Sequence, residues 1–288
     1  MTSSREQLRS YINWSIASAL LVALIAIGEF LGGVLDIYGR SEMISIYPGR
    51  SSSTLGNPNY VAGYLLPFVP IMLEGVWRNQ KTLIKNEGMN YLLRLTIILC
   101  LLLAVVVTGS YIALLLLAIL VISYSVSYLL YGYSKVKQII TLATIVAIFI
   151  LGSLILLDPV KLLSLQSRFI LMKESMLVIF AHPVNILIGF GPDSLLTQFS
   201  IARSTLVDAY FPQNMLIDSS HNIFIDILFQ YGIFPVYLIL RFIIINYEKL
   251  TTPTGLSIVL LLTFLTFNVF VISHIIVLIL LFVFTFKD

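Results

Sequence analysis

The chain has 288 residues, of which 59% are hydrophobic and only 11% are charged, and its mean hydropathy is +1.00. A soluble globular domain carries about 25% charged residues, so this composition predicts a protein whose main solvent is lipid. The formal net charge of +3 is small and the basic residues are scattered, which excludes a basic face for nucleic acid. Cys100 is the one cysteine, which excludes a disulfide framework and a cysteine metal site.

Apolar runs of about 17 to 25 residues predict membrane-spanning helices, because such a helix satisfies all its own backbone hydrogen bonds in hydrocarbon. Six spans are predicted over residues 12–34, 60–77, 92–108, 111–131, 138–157 and 222–240. The apolar tail, 255–286, would be about 48 Å long as one straight helix, whereas the hydrocarbon core is about 30 Å thick. Two short antiparallel helices with a break near 268–273 are therefore expected. The predicted fold is an all-α membrane bundle of about eight spans, forming one integral membrane domain over 1–288.

The distribution of Lys and Arg orients these spans. Eleven of the 17 basic residues fall on the side that holds both termini, and four of the other six lie in one long loop. Because positive charge accumulates on the cytoplasmic side, both termini are predicted to be cytoplasmic. Residues 36–58 and the long loop, 158–221, then face outward.

The first outward loop carries Arg50, Asn57 and Asn59 just before the second span. Pro58 forces Asn57 into an extended conformation, which leaves Asn59 to cap the helix. One interpretation is a simple turn with a helix cap. The other is that two carboxamides and the Arg50 guanidinium bind hydroxyls or phosphate at the membrane surface.

The long loop is expected to contain helices, since loops beyond about 15 residues without elements of their own are uncommon. A helix over 168–180 would place Phe169, Met172, Met176 and Ile179 on one face, as in a helix that lies in the membrane interface. A second, over 194–208, would be capped by Asp193 or Ser194. The apolar turn between them, 182–193, is expected to dip back into the bundle.

His221 follows two serines that are each a plausible helix cap, so it is predicted to lie in the first turn of the sixth span. The positive end of the helix dipole disfavours imidazolium there, and a neutral imidazole suits a general base. The alternative is a hydrogen-bonded structural histidine. Asn222, Asp226 and Gln230 recur every four residues and predict a polar stripe that faces the bundle interior or a wet cavity.

Three other ionisable residues lie near predicted turns or helix ends. His182 precedes Pro183 and is expected to shape the turn that follows. His274 and Glu29 lie in or near spans, where ionisable residues are functional suspects, yet both are close to predicted helix ends and are also expected to reach the headgroups.

Four short motifs occur in order between about residues 50 and 240. They are Gly-Asn-Pro-Asn-Tyr over 56–60, Thr-Gly-Ser over 108–110, Arg168 with the turn Gly-Phe-Gly-Pro over 189–192, and His221-Asn222 separated by nine residues from Gly232. In this order and spacing they resemble the O-antigen ligase and polymerase superfamily of bacterial membrane glycosyltransferases.

The resemblance implies transfer of a glycan from a polyprenyl diphosphate donor to a sugar or lipid hydroxyl, at the outer face of a prokaryotic cytoplasmic membrane. It implies no metal, nucleotide sugar or other cofactor. Carried over, His221 is the base that activates the acceptor and Arg168 holds the diphosphate. Arg50, Asn57, Asn59 and Asn222 are the further predicted substrate-binding residues. A polymerase is preferred over a ligase, because no separate acceptor domain is visible.

Two positions depart from the family pattern. Tyr111 stands where the family has arginine after the Thr-x-Ser turn, and Pro235 replaces the final glycine of the His-Asn motif. Arg50 and Arg203 are candidates to supply the missing charge. A membrane partner protein, a non-catalytic role in polysaccharide assembly and a transporter remain alternatives.

Overall fold

The computed structural model describes residues 5–34, 49–77, 91–130, 159–202, 204–212, 215–269 and 271–286. Within these ranges every regular element is a helix and none is a strand, which confirms the all-α prediction. The span predicted over 138–157 and the basic residue Arg203 lie outside the described residues. The first of two compact units comprises Met1–Ile148, Glu248–Leu261 and Val271–Asp288, and the second comprises Phe149–Tyr247 and Leu262–Phe270.

The described helices are, in chain order, α1 (Arg5–Val34), α2 (Pro58–Leu65), α3 (Phe68–Trp77), α4 (Tyr91–Val107), α5 (Tyr111–Leu130), α6 (Pro159–Ala181), α7 (Pro183–Ile188), α8 (Ser194–Ala202), α9 (Thr205–Tyr210), α10 (Ile223–Tyr231), α11 (Ile233–Ile245), α12 (Tyr247–Leu250), α13 (Pro253–Leu265) and α14 (Ile272–Phe286). A short 3-10 helix, Ser53–Leu55, precedes α2.

The core of the first unit forms around α1, which packs against α4. Ala19, Ala23 and Ala26 of α1 are fully buried, and their spacing places them on one face. Small side chains let two helix backbones approach closely, as they do in membrane helix pairs.

One helix in the described part of the chain is long and apolar enough to cross a membrane. It covers Ser10–Gly32, has 23 residues and a mean hydropathy of 2.1, and corresponds to the first predicted span. The other apolar helical stretches found among the described residues have 10–17 residues, for example Leu93–Val107 and Ile233–Ile245. At a rise of about 1.5 Å per residue, a helix of this length is shorter than a hydrocarbon core of about 30 Å.

Prolines and glycines divide two of the predicted spans. The span expected over 60–77 is two helices, because Pro67 lacks an N–H and its ring clashes with the carbonyl one turn earlier. The span expected over 222–240 ends at Gly232, whose φ of 78° is incompatible with a continuing right-handed helix. In the tail, by contrast, the break between α13 and α14 lies between Leu265 and Ile272 and overlaps the predicted break near 268–273.

The second unit has its own hydrophobic core, built from α6, α8, α9 and α10. Its buried members are Leu171, Ile179, Leu195, Val207, Ile217 and Phe229. The helix predicted over 168–180 is part of the longer helix α6, Pro159–Ala181. Part of its predicted apolar face packs in this core. Met172 and Ile179 are buried, whereas Phe169 is exposed.

The remainder of the long loop also differs from the prediction. The helix expected over 194–208 is divided into α8 and α9, and Ser204 caps α9 by accepting a hydrogen bond from Val207 N at 3.3 Å. The turn expected to dip into the bundle contains α7, whose Val184, Leu187 and Ile188 are 68%, 65% and 67% exposed. This turn therefore lies on the surface of the protein.

Candidate functional site

His221 lies immediately before α10, and not in its first turn as predicted. The helix is capped by Asn222, whose Oδ1 accepts hydrogen bonds from Phe224 N at 2.9 Å and Ile225 N at 3.2 Å. One side-chain oxygen thereby satisfies two of the N–H groups that a helix start leaves unpaired. The Asn222 side chain, predicted to bind substrate, has a structural role at the helix start.

The two serines before His221 do not cap the helix; they bind Asp226. Ser219 Oγ donates to Asp226 Oδ2 at 2.7 Å, and Ser220 Oγ donates to Oδ1 at 2.6 Å. Ser220 N also donates to Oδ1, at 2.8 Å. The Asp226 carboxylate therefore holds the segment that leads into His221.

The imidazole of His221 is half-buried and electrostatically biased toward its neutral form. Its pKa is lowered from 6.5 to about 4, mainly by burial and then by the positive charge of Arg168, while the negative charge of Asp218 acts in the opposite direction. At neutral pH the ring is therefore neutral, as a general base must be. The helix dipole alone suggested this protonation state from the sequence, whereas burial and Arg168 are the main causes in the structure.

Arg168 of α6 is held in place by a polar turn at the end of α13. Its Nη1 donates to Phe267 O at 2.6 Å and to Asn268 Oδ1 at 3.3 Å. The Asn268 side chain is itself buried and donates from Nδ2 to Phe264 O at 3.0 Å. Asn268 was not among the predicted site residues, although a carboxamide within the apolar tail is a signal that the side chain has a hydrogen-bond partner.

The Gly-Phe-Gly-Pro turn and the end of α10 meet through their backbones. Because α10 ends at Gly232, the last carbonyls of the helix are available, and Phe190 N donates to Phe229 O at 2.8 Å and Gly191 N to Gln230 O at 3.0 Å. The Phe190 and Phe229 rings stack with centroids 4.7 Å apart. Two motifs separated by about 40 residues thus form one contact, which spacing alone did not show.

The three residues of the predicted polar stripe on α10 form hydrogen bonds within the second unit. Asn222 caps the helix, Asp226 accepts from the two serines, and Gln230 Oε1 accepts a hydrogen bond from Asp193 N at 3.1 Å. Hydrogen bonds within the second unit therefore account for all three residues without a wet cavity.

In the first unit, Arg50 connects the other two motifs. Its Nε donates to Thr108 O at 2.8 Å, and its Nη2 donates to Asn59 Oδ1 at 3.1 Å. Asn57, and not Asn59, caps α2 by accepting from Asn59 N at 2.9 Å. The structure thus places Arg50 on the Thr-Gly-Ser turn that precedes Tyr111.

Glu29 anchors the loop that carries Arg50. Its Oε2 accepts from Ser51 Oγ at 2.6 Å, Ser52 N at 3.1 Å and Ser53 N at 2.7 Å. The Glu29 carboxylate therefore has hydrogen-bond donors within the protein and does not depend on a lipid headgroup to supply them.

His274 is fully buried in the first unit, which contradicts the prediction that it reaches the headgroups. Its Nε2 lies 3.4 Å from Tyr60 O, and its ring meets the Tyr60 ring edge-on with centroids 6.3 Å apart. His182 of the second unit is exposed and places its ring edge-on to Phe190, as expected for a residue that shapes the turn.

No protein-family model matches the chain. Neither a curated protein nor a solved structure matches it.

Within the described ranges, no group of three or more His, Cys, Asp and Glu side chains is placed to hold a metal ion. The groups around His221 are the Arg168 guanidinium, the Asp218 carboxylate, and the hydroxyls of Ser219 and Ser220 with the Asp226 carboxylate that they bind.

Acidification is expected to destabilise the protein through His221. Its pKa is about 4 in the folded protein and near 6.5 when unfolded, so between these values the unfolded chain binds the extra proton. Stability therefore falls as the pH is lowered from about 6.5 to about 4, by at most about 3 kcal/mol from this residue. The thermal midpoint in detergent should show this loss between pH 7 and pH 4.5. A His221→Gln variant should show a smaller loss, and equal losses would contradict the prediction.

Proposed function

We propose that this protein is a membrane glycosyltransferase of the O-antigen ligase and polymerase type, with a polymerase preferred. It transfers a glycan from a polyprenyl diphosphate donor to a sugar or lipid hydroxyl during surface polysaccharide assembly. The proposal places it in a prokaryotic cytoplasmic membrane, crossing it about eight times, with both termini in the cytoplasm and the His221 loop outside.

The observation that carries the proposal is a neutral imidazole held beside a permanent positive charge. Burial and Arg168 keep the His221 ring unprotonated, and a guanidinium keeps its own charge at any pH that a protein meets. A base that deprotonates a hydroxyl and a cation that stabilises a departing diphosphate are the two groups that glycan transfer from this donor requires.

In the proposed reaction, His221 takes the proton of the acceptor hydroxyl as its oxygen attacks the anomeric carbon of the donor. The new glycosidic C–O bond forms while the C–O bond to the diphosphate breaks. The two bonding electrons leave with polyprenyl diphosphate, and the proton passes from His221 to water. Attack opposite to the leaving group inverts the anomeric centre.

Arg168 is suited to the leaving group because its position is fixed before substrate binds. One of its nitrogens donates to Phe267 O and Asn268 Oδ1, so the side chain loses little conformational freedom on binding. A planar guanidinium also matches the oxygens of a diphosphate better than an ammonium group does.

Arg50 is proposed to supply the charge that Tyr111 removes. Its guanidinium lies on the Thr108 carbonyl, three residues before Tyr111, and is also held by Asn59. That Arg50, Asn57 and Asn59 belong to the same substrate site as His221 stays a prediction.

Reconstitution tests the proposal directly. The wild-type protein, in liposomes with a labelled polyprenyl diphosphate-linked glycan and an acceptor, is expected to release polyprenyl diphosphate at a rate that depends on the acceptor. The same liposomes without acceptor serve as the control for hydrolysis. Donor binding without release would favour the non-catalytic alternative, and movement of the intact donor across the bilayer would favour a transporter.

A further inference from the structure

The backbone of His221 has a conformation that needs support. Its φ is 60°, in the left-handed region that residues with a side chain rarely adopt. A non-glycine residue persists in this region only when its surroundings hold it there, and such residues cluster at functional sites. What holds His221 therefore also determines where its imidazole lies.

A chain of hydrogen bonds runs from Asp226 to the His221 backbone. Ser219 Oγ donates to Asp226 Oδ2 at 2.7 Å and accepts from His221 N at 3.0 Å. Ser220, bound to the other carboxylate oxygen, interacts through Oγ with Asn222 N at 3.3 Å and Asn222 O at 3.2 Å. The residues on both sides of His221 are thereby tied to one carboxylate.

A simpler role for Asp226 would be the favourable interaction of a first-turn carboxylate with the helix dipole. The hydrogen bonds do not fit that role. Asn222 already caps the helix, and both Asp226 oxygens accept hydrogen bonds from the segment before it. The carboxylate therefore binds the serines next to His221 and does not bind the N–H groups at the start of α10.

We propose that Asp226 is a positioning residue that, through Ser219, fixes the backbone conformation of His221 and so aims its imidazole at the acceptor hydroxyl. The importance of this aim for catalysis rests on the proposed function. The effect on the location of the imidazole does not, and it can be measured without substrate.

NMR titration of the imidazoles provides that measurement. The chain has three histidines, so histidine labelling gives few signals, and His221 is assigned with His221→Gln. The charged groups that act on the His221 ring are Arg168 of α6 and Asp218 in the preceding segment. Asp226 of α10 acts on that segment through its hydrogen bonds to Ser219 and Ser220. In wild type the ring is expected to titrate at about 4.

In Asp226→Asn, one acceptor oxygen becomes an NH₂ group and the negative charge is lost, so the side chain no longer accepts hydrogen bonds from both serines. If the segment relaxes and the ring becomes more exposed, its titration midpoint rises from about 4 toward 6.5. Loss of the carboxylate charge by itself would lower the midpoint or leave it unchanged. A rise therefore reports repositioning.

Ser219→Ala removes the link to His221 N and retains Asp226, so it is expected to raise the midpoint as well. It also keeps the proposal testable if Asp226→Asn does not fold. Ser204→Ala is the matched control, because it removes another hydroxyl that accepts a backbone N–H in the same unit and should leave the midpoint unchanged.

In the release assay, Asp226→Asn and Ser219→Ala are expected to lower kcat about 100-fold with KM nearly unchanged, as a small misplacement of a catalytic group does. Midpoints that do not rise in either variant would overturn the positioning role, and raised midpoints with unchanged kcat would overturn its catalytic consequence. If wild type releases no polyprenyl diphosphate, the proposed function fails, while the titration still decides the positioning role.

Discussion

The His221→Gln variant is expected to release polyprenyl diphosphate about 1000-fold more slowly than the wild-type protein, because a positioned general base contributes about 10²- to 10⁴-fold to a rate. Glutamine keeps a polar side chain of similar reach but has no nitrogen that takes up a proton near neutral pH. The measurement is the initial rate of release at saturating donor and acceptor in liposomes. Equal rates for wild type and variant would contradict the assignment of His221 as the base.

The matched control is His182→Gln, which makes the same chemical change at an exposed histidine of the same unit. His182 contacts the Phe190 ring and belongs to neither the proposed acid–base chemistry nor the diphosphate site. Its rate is expected to stay within about twofold of wild type, since surface substitutions usually change little. Comparing the thermal midpoints of both variants separates a loss of chemistry from a loss of folded protein.

Replacement of Gly232 by alanine is expected to destabilise the second unit by more than about 3 kcal/mol, because it combines backbone strain with overpacking. A Cβ atom at this position would lie 2.2 Å from Leu187 O and 2.5 Å from Leu187 C. These are backbone atoms of α7, so no side-chain rotation relieves the clash. The expected observation is a lower thermal midpoint in detergent and a lower yield of folded protein.

Gly191→Ala is the control for strain alone. Gly191 also has a positive φ, of 101°, but a Cβ atom there would have no heavy atom within 4 Å. Its cost is expected to be only about 1–2 kcal/mol, the usual penalty for a left-handed residue with a side chain. If both substitutions cost the same, close packing of α7 against Gly232 is not what stabilises this region.

Gly189 makes the reciprocal contact, since a Cβ atom there would lie 2.3 Å from Gln230 O. The two glycines therefore allow the turn after α7 and the end of α10 to approach backbone to backbone. His221 lies just before the start of α10, and the contact with the turn after α7 is at the other end of this helix. This contact therefore helps to hold α10, and with it His221, in place.

Much of the fold follows from patterns within the chain. The apolar runs predicted helices, and a tail too long for one span predicted the break between α13 and α14. The divisions at Pro67 and Gly232 were missed, because both residues lie inside runs that remain apolar on either side. Hydropathy indicates which solvent a segment prefers, but it contains almost no information about the backbone conformation of a single residue.

The same distinction applies to the candidate site. His221 was proposed from residue type and position, Arg168 was proposed from the family resemblance, and Gly189 and Gly232 lie in the motifs that carry that resemblance. The cap predicted at Asn59 is formed by Asn57, and substrate binding by Asn57, Asn59 and Asn222 stays a prediction. A carboxamide can cap a helix, bind a guanidinium or bind a substrate, and only the positions of its neighbours decide among these.

The sequence by itself determined that the chain is helical and rich in apolar residues, and it led to the prediction that a polar loop ending at His221 carries the chemistry. Those conclusions depend on composition and short-range periodicity. Only the tertiary structure decided that burial and Arg168 keep the His221 imidazole neutral, that Asn268 holds Arg168, and that Asp226 binds the serines before His221. These interactions depend on which groups approach within a few ångströms after packing, and for Arg168 and Asn268 the partners are 100 residues apart in the chain.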